Sequence, residues 1–445
     1  MIIRRLASLL ALAACIPTTA SAGFFDDWGY SPRAVAQGGA LTANATDFSA
    51  VFYNPAMLVL RKDVNFGFGI DYARTDMTVQ PKTLDRELDC AYCDPNDWVG
   101  EDIGLLFPLG GKVQNHLALG VGLHLPSARL LSVRAPDPDR PFWYGWNNEP
   151  DRIVVLLGAG IRILDQLSIG IGTQALADLT GDGAKVTVDL FSKEVKFREI
   201  NSHLATTFGP VASVYVTPLP NLRFGASWRS EMRVRYSIPA DITMEGVGQL
   251  KMTIEGYNHY TPHTFTLGTS WDVTPQVTLS MDAAYQRWSA APSPYVHVAV
   301  DMGGATLEAL GLGEALDLDS SDRCADEACS PGFKDTVVPR FGVEYRLTER
   351  FTARAGAWFR PTFVPDQNQF HTNILDSDTL GVSGGIGWSF DDPLEVFQAP
   401  ILIDLAVHGL WLLPREAEKD PTDYVPSYSF SGRVVGVSAM VRYNF

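Results

Sequence analysis

"VNFGFGIDY", Val64 to Tyr72, alternates without a slip. Val64, Phe66, Phe68, Ile70 and Tyr72 share one face; Asn65, Gly67, Gly69 and Asp71 share the other. Successive side chains of a strand point to opposite faces, so this stretch is a strand with one face in an apolar medium. A soluble sandwich would turn its polar face to water and bury the apolar one. Here small and charged residues make the face that suits a crowded polar interior, and the bulky apolar face suits lipid. That is the wall of a transmembrane β-barrel.

The pattern recurs along the chain. Leu117, Leu119, Val121, Leu123 and Leu125 alternate with Ala118, Gly120, Gly122 and His124. Leu222, Phe224, Ala226 and Trp228 alternate with Arg223, Gly225, Ser227 and Arg229. Phe351 to Arg360, Ile401 to Trp411 and Val435 to Phe445 repeat it. Short turns such as Gly110-Gly111-Lys112, Asp165-Gln166 and Thr348-Glu349 separate pairs of segments. Longer connections fall between them: 81–97, 126–150, 180–200, 238–260, 290–335, 361–377 and 414–429. Short and long connections alternate, which predicts about fourteen strands, an even number as bacterial barrels have. Short turns then belong to the periplasmic side and long loops to the outside. Trp28, Trp98, Trp228, Trp271, Trp288 and Trp411 fall near strand ends, where an aromatic girdle is expected.

Residues 1–22 read as a secretion signal. Arg4 and Arg5 precede an apolar run from Leu6 to Ala14, and Ala20-Ser21-Ala22 offers a cut before Gly23. A lipoprotein-type cut before Cys15 is the alternative. Both readings take the chain out of the cytoplasm, by the Sec route. Residues 23–61 are small, polar and broken by glycine and proline, so they are not wall, and residues 62–445 make the barrel. The formal net charge of −16 argues against a nucleic-acid partner. Past the leader no uncharged apolar run reaches the length of a membrane helix.

Four cysteines follow the leader, as Cys90-x-x-Cys93 and Cys324-x4-Cys329, each in an acidic, turn-rich loop. In an oxidising compartment the expectation is a local disulfide in each loop, Cys90–Cys93 and Cys324–Cys329. A four-thiolate zinc site and a redox CxxC are the alternatives. No metal, nucleotide or redox cofactor is needed by the reading as a whole.

"AVFYNPAML", Ala50 to Leu58, is out of place beside so many strands. Asn54 can cap a helix through its side-chain oxygen, and Pro55 suits the first helical position. A compact helical turn satisfies its own backbone, as a segment buried in a lumen must.

The longer run "RAVAQGGALTANATDFSAVFYNPAML" resembles the N-terminal hatch of FadL-type outer-membrane transporters of long-chain fatty acids and other hydrophobic compounds. Arg33, Gly38, Gly39, Asp47, Asn54, Pro55 and Ala56 carry the resemblance; Met57 departs from it, where the family usually has a small residue. Tyr443-Asn444-Phe445 looks like the aromatic C-terminal signal read by the barrel assembly machinery, with Tyr443 and Phe445 as its aromatic residues. The resemblance implies a plug inside the barrel and a capture groove in the outer loops. It also implies a kinked third strand with a side portal, for which Gly120 and Gly122 are the candidates. The implied partner is a long-chain fatty acid or another hydrophobic small molecule within outer-membrane lipid, and the implied state is a monomer.

An amphiphile needs an apolar groove and a polar anchor. Arginine forks suit a carboxylate, so Arg229, Arg233, Arg340 and Arg354 are anchor candidates, with Phe142 and Trp143 as apolar loop contacts. The competing reading pairs these arginines with lumen carboxylates such as Glu231, Asp282, Glu344 and Asp404 for structure alone. His408 and Asp404 share an inward face and His124 lies inward elsewhere, but no serine motif accompanies them, so an enzyme is not expected. A general porin would lack the plug.

Overall fold

A computed structural model describes residues 24–445 apart from 83–87, 91–92, 128–133, 135, 149–151, 190–193, 246–247, 304–317, 320–330, 368–371, 394–398 and 422–424. The leader and the pair Cys324 and Cys329 therefore lie outside the described residues.

The wall opens with β1 (Asn65–Pro81), β2 (Trp98–Pro108) and β3 (Leu117–Pro126). A two-residue β4 (Phe142–Trp143) stands in the next long loop. The wall resumes with β5 (Val154–Leu164), β6 (Leu167–Asp189), β7 (Glu194–Leu219) and β8 (Leu222–Arg229). Next come β9 (Met232–Glu245) and β10 (Gly248–Thr261), paired as a hairpin, before β11 (Thr264–Asp272) and β12 (Val277–Gln286) return to the wall. Strands β13 (His297–Gly303) and β14 (Leu318–Asp319) extend that hairpin. The wall closes through β15 (Thr336–Arg346), β16 (Phe351–Arg360), β18 (Thr379–Phe390), β19 (Ile401–Ala417) and β20 (Tyr428–Asn444). Between them, β17 (Ile374–Leu375) pairs in parallel with β4 outside the wall. The last strand pairs with the first from Asn65↔Asn444 to Pro81↔Tyr428, so no wall edge is left open there. The result is a closed antiparallel barrel of fourteen strands.

The alternation read in the sequence is the alternation of exposure. Along β1, Phe68, Ile70 and Tyr72 face outward while Gly67, Gly69 and Asp71 are buried. The pattern slips once with consequence. Two residues, Ser230 and Glu231, separate β8 from β9, and the Ser230 N–H donates to the Pro210 carbonyl. Arg229 and Met232 consequently both point inward, and Arg233 is left exposed. Arg233 was expected on the lumen face with Arg229; after the odd step between the two strands it is exposed, over the Tyr260 ring at 5.8 Å. Connections 180–200 and 238–260 were expected as loops, but their described residues continue the paired strands, to Asp189↔Glu194 in one and Met244↔Gly248 in the other.

The tryptophans divide. Trp271 and Trp411 face outward, as girdle residues do, and Trp388 joins them. Trp28, Trp98 and Trp288 are buried instead, because each packs on other aromatics inside the barrel or under the outer loops.

Candidate functional site

Residues 24–61 fill the lumen. They form short helices, Phe24–Trp28, Pro32–Ala36 and Ala50–Tyr53, then a tight turn of 3-10 type, Pro55–Leu60, rather than an α-helix. Asn54 caps that turn: its Oδ1 accepts the Ala56 N–H at 3.1 Å. Its Nδ2 donates to the carbonyls of Thr42 at 2.7 Å and Val214 at 3.1 Å, so one side chain closes the turn and ties it to β7. Ser213 and Ser168 on neighbouring strands bond the Ala56 N–H and C=O at 2.9 and 2.7 Å.

The inward glycines have a physical cause here. A Cβ on Gly170 would lie 2.1 Å from the Ala56 nitrogen. Gly38 and Gly39 have φ of 62° and 75°, a left-handed turn that favours glycine. Gly120 and Gly122 play the same part: a Cβ there would meet Leu58 at 2.8 Å and the Tyr30 hydroxyl at 2.5 Å. Strand β3 pairs without a register shift with β2 on one side and β5 on the other. The two glycines make room for the plug.

The charged residues form a closed ring. Arg33 bonds Glu344 at 3.2 Å and lies 3.8 Å from Asp47; Arg442 meets Asp47 at 3.0 Å and Asp404 at 2.6 Å. Arg354 completes it, with Glu344 at 2.8 Å and Asp404 at 2.6 Å. Three guanidiniums and three carboxylates thus alternate, two from the plug and four from β15, β16, β19 and β20. Charges withdrawn from water survive when paired and hydrogen-bonded, and here every neighbour is of opposite sign.

The other anchor candidates are also engaged. Arg229 pairs with Asp26 and lies over the Phe52 ring at 4.3 Å. Arg340 donates to the carbonyls of Gly38, at 3.2 Å, and Asp26. Arg233 pairs with Glu231 at 3.2 Å on the exposed side. Arg229 and Arg340 therefore engage the plug directly, Arg354 reaches it through Glu344 and Asp404, and Arg233 does not.

An aromatic path enters from above. Phe142, Tyr144, Tyr260, Trp288, Phe333 and Phe363, brought together from distant parts of the chain, share one buried cluster. The rings of Trp288 and Phe363 stack with centroids 3.7 Å apart and 8° between planes. Tyr144 packs on Phe333 at 5.6 Å, and Trp146, two residues on, packs on Trp28 at 5.6 Å. Trp28 touches Trp98 at 5.2 Å, and Trp98 stacks on His124 at 5.4 Å. His124 is itself held by Asp102, Nδ1 to Oδ1, at 2.7 Å. Trp143 was read as an apolar loop contact; its ring is fully buried against Phe430 and its indole N–H donates to the Cys93 carbonyl at 3.1 Å. Cys90 and Cys93 are joined in that neighbouring loop, with Cα atoms 5.5 Å apart.

In the outer loops, burial and hydrogen bonding move Tyr295 and Asp335 away from their usual range. Burial pushes the Tyr295 phenol up, and its oxygen accepts the Asn373 N–H at 3.1 Å. Burial alone would raise the Asp335 carboxyl, but hydrogen bonds from the Tyr285 hydroxyl at 2.6 Å and the Ser289 N–H at 2.8 Å hold it below the ordinary value.

The aromatic path and the ring of charges could not be found from spacing, because their members lie far apart in the chain. Glycine at alternate inward positions was the one visible sign that something packs close to the wall.

A family model described as outer membrane protein transport protein (OMPP1/FadL/TodX) matches residues 12–403. Alkane uptake protein A of Marinobacter nauticus is 21% identical over 421 residues, covering 90% of this chain and 86% of the relative. The Pseudomonas putida toluene transporter TodX superposes with a TM-score of 0.56 at 16% identity, over 93% of this chain and 97% of TodX. A Pseudomonas aeruginosa FadL homologue gives 0.54 at 15% identity, over 96% and 97%. At such identities the likeness to the solved structures is one of fold.

Proposed function

The chain belongs to the OMPP1/FadL/TodX family of outer membrane transport proteins, and we propose that it is a passive uptake channel for uncharged hydrophobic compounds, hydrocarbons foremost. The observation that carries this reading is the buried aromatic cluster around the Trp288–Phe363 stack, continued by Trp146 and Trp28 into the lumen. Such a path offers apolar surface and ring faces to a cargo and no unmatched charge. Alkane uptake by the Marinobacter relative and toluene transport by TodX point to the same class. Long-chain fatty acids, the cargo first implied by the hatch, would need a guanidinium free for a carboxylate. Arg229, Arg340 and Arg354 are each committed to the plug or to a lumen carboxylate, which supports the hydrocarbon reading. Residues 23–61 act as the plug and residues 62–445 as the barrel. Export by the Sec route, recognition of Tyr443 and Phe445 by the assembly machinery and a monomeric state belong to the same proposal.

The test is uptake of radiolabelled hexadecane and hexadecanoic acid by cells carrying wild type, Trp288→Ala or Phe363→Ala. Hexadecane uptake should fall at least severalfold in both variants with barrel levels unchanged. Wild-type uptake of the acid alone would overturn the hydrocarbon reading.

A further inference from the structure

The lumen wall holds a group of polar atoms that neither the plug nor the ring of charges uses. Trp358 on β16, Ser383 on β18 and His408 on β19 all point inward. Ser383 is the direct cross-strand partner of His408, and Trp358 pairs with Gly381, two residues along from Ser383. Cross-strand neighbours on one face lie about 5 Å apart and diagonal ones about 7–8 Å, so the three side chains make one patch. Glycines give the two rings their space. A Cβ on Gly381 would fall 2.1 Å from the Trp358 ring, and one on Gly436 would fall 2.3 Å from His408 Nε2. The Trp28 ring stands edge-on to the His408 imidazole, with centroids 6.1 Å apart, so the patch adjoins the aromatic path.

His408 is only 6% exposed. The Trp358 Nε1, Ser383 Oγ and both His408 ring nitrogens are buried and have no hydrogen-bond partner among the described residues. Leaving one such group unpaired costs about 1–3 kcal/mol, and four atoms on adjacent positions are hard to explain as packing. His124, by contrast, has its carboxylate partner on the other side of the same tryptophans. The chemistry of the set is specific. The indole N–H only donates, the serine hydroxyl donates and accepts, and a neutral imidazole offers one nitrogen for each role. No charged group belongs to it, so an anion taken there would lack a counter-charge.

We propose that Trp358, Ser383 and His408 form a lumen subsite for the uncharged terminal oxygen of a hydrophobic cargo, the hydroxyl of a long-chain alcohol. The apolar chain lies along Trp28 and the aromatic path while the hydroxyl exchanges hydrogen bonds with the patch. The proposal deepens the uptake reading and rests on it.

The experiment compares dodecanol with dodecane on the full-length protein in detergent, by tryptophan fluorescence titration. Wild type, Ser383→Ala, His408→Phe and His408→Gln are the proteins. Ser383→Ala and His408→Phe should each weaken dodecanol binding about tenfold, as losing one useful hydrogen bond does. Dodecane binding should stay within about twofold, on the same scale. His408→Gln, which still donates and accepts, should restore most of the loss. With the histidines labelled, the imidazole nitrogen resonances of one histidine should move on adding dodecanol and stay put on adding dodecane. Equal losses for both ligands, or unchanged dodecanol affinity in both variants, would overturn the subsite. A wild type that binds dodecanol at the patch yet carries no hydrocarbon into cells would sink the uptake reading and leave the subsite standing.

Discussion

Asp47, in the segment that fills the lumen, receives the guanidinium of Arg442, on the final strand, at 3.0 Å. The two residues are 395 apart in the chain. Their contact fixes the plug to the strand that closes the barrel. Asp47 also holds its own turn, because its Oδ1 accepts the Ser49 N–H at 3.0 Å. A single carboxylate thereby joins local geometry, a ring of six charges and closure of the wall.

Replacing Asp47 by Asn keeps the shape and removes the charge. Arg33 and Arg442 would then share too few carboxylates in a buried place. Removing one partner of a buried ion pair costs about 3–5 kcal/mol. The barrel ladders lie elsewhere, so the cost should fall on the seating of the plug. Asp47→Asn should assemble and remain heat-resistant but conduct ions more often in planar bilayers. Conductance equal to wild type would show that the ring does not hold the plug shut.

Gly170 tests close approach without touching any charge. Its missing side chain leaves room for the plug backbone, since a Cβ would lie 2.1 Å from the Ala56 nitrogen and 2.4 Å from the Pro55 carbonyl carbon. Backbone cannot swing aside as a side chain can. Gly170→Ala should therefore displace the Pro55–Leu60 turn, at a cost of about 1–3 kcal/mol, the usual range for overpacking. Limited proteolysis should cut within residues 24–61 faster than in wild type. Protection unchanged by the added methyl group would mean that the turn does not sit on β6 in the membrane.

The wall was legible because lipid imposes one rule on every strand. An outward residue must be apolar, and period two exposes that rule in Val64 to Tyr72 as clearly as in Val435 to Phe445. The phase slip at Ser230 and Glu231 was not legible, since neither residue breaks a strand by type. It cost the placement of Arg233. The buried ends of Trp28, Trp98 and Trp288 were hidden for a related reason: tryptophan suits a membrane interface and an aromatic cluster equally well. Arginine anchors were legible as inward cations, but which carboxylates would meet them was not. Arg33 finds Glu344 across 311 residues, a contact that barrel closure alone creates.

Asp335 gives the outer loops an acid-sensitive tie. Hydrogen bonds from Tyr285 and Ser289 lower its pKa in the folded state. A depressed carboxylate contributes stability above its unfolded pKa of about 3.9, and that contribution is lost as pH falls through the folded value. The loss should begin near pH 4 and grow below it, never on the alkaline side. The Trp288 turn follows Tyr285 directly, so tryptophan emission should change over that window, and Asp335→Asn should flatten the change. An equal acid transition in Asp335→Asn would assign it to another carboxylate.

Asn54 makes three hydrogen bonds with one amide, to the Ala56 N–H and to the carbonyls of Thr42 and Val214. The cap alone is worth about 1 kcal/mol. Asn54→Ala also strips donors from the Thr42 carbonyl, which is buried, and the half-buried Val214 carbonyl, adding about 1 kcal/mol or more. Asn54→Asp separates the two parts, because it keeps the accepting oxygen and loses the donating nitrogen. Wall strands pair through their own backbone, so both variants should assemble and resist heat as wild type does. The plug should loosen in both, with ion leak and hydrophobic uptake altered. The Ala variant should leak at least as much as the Asp variant if the cap and the tie to β7 act separately. Normal assembly with wild-type uptake and conductance in both variants would deny Asn54 any part in gating. Failure of assembly in both would make the Asn-Pro-Ala turn a folding element first, formed before the wall closes around it.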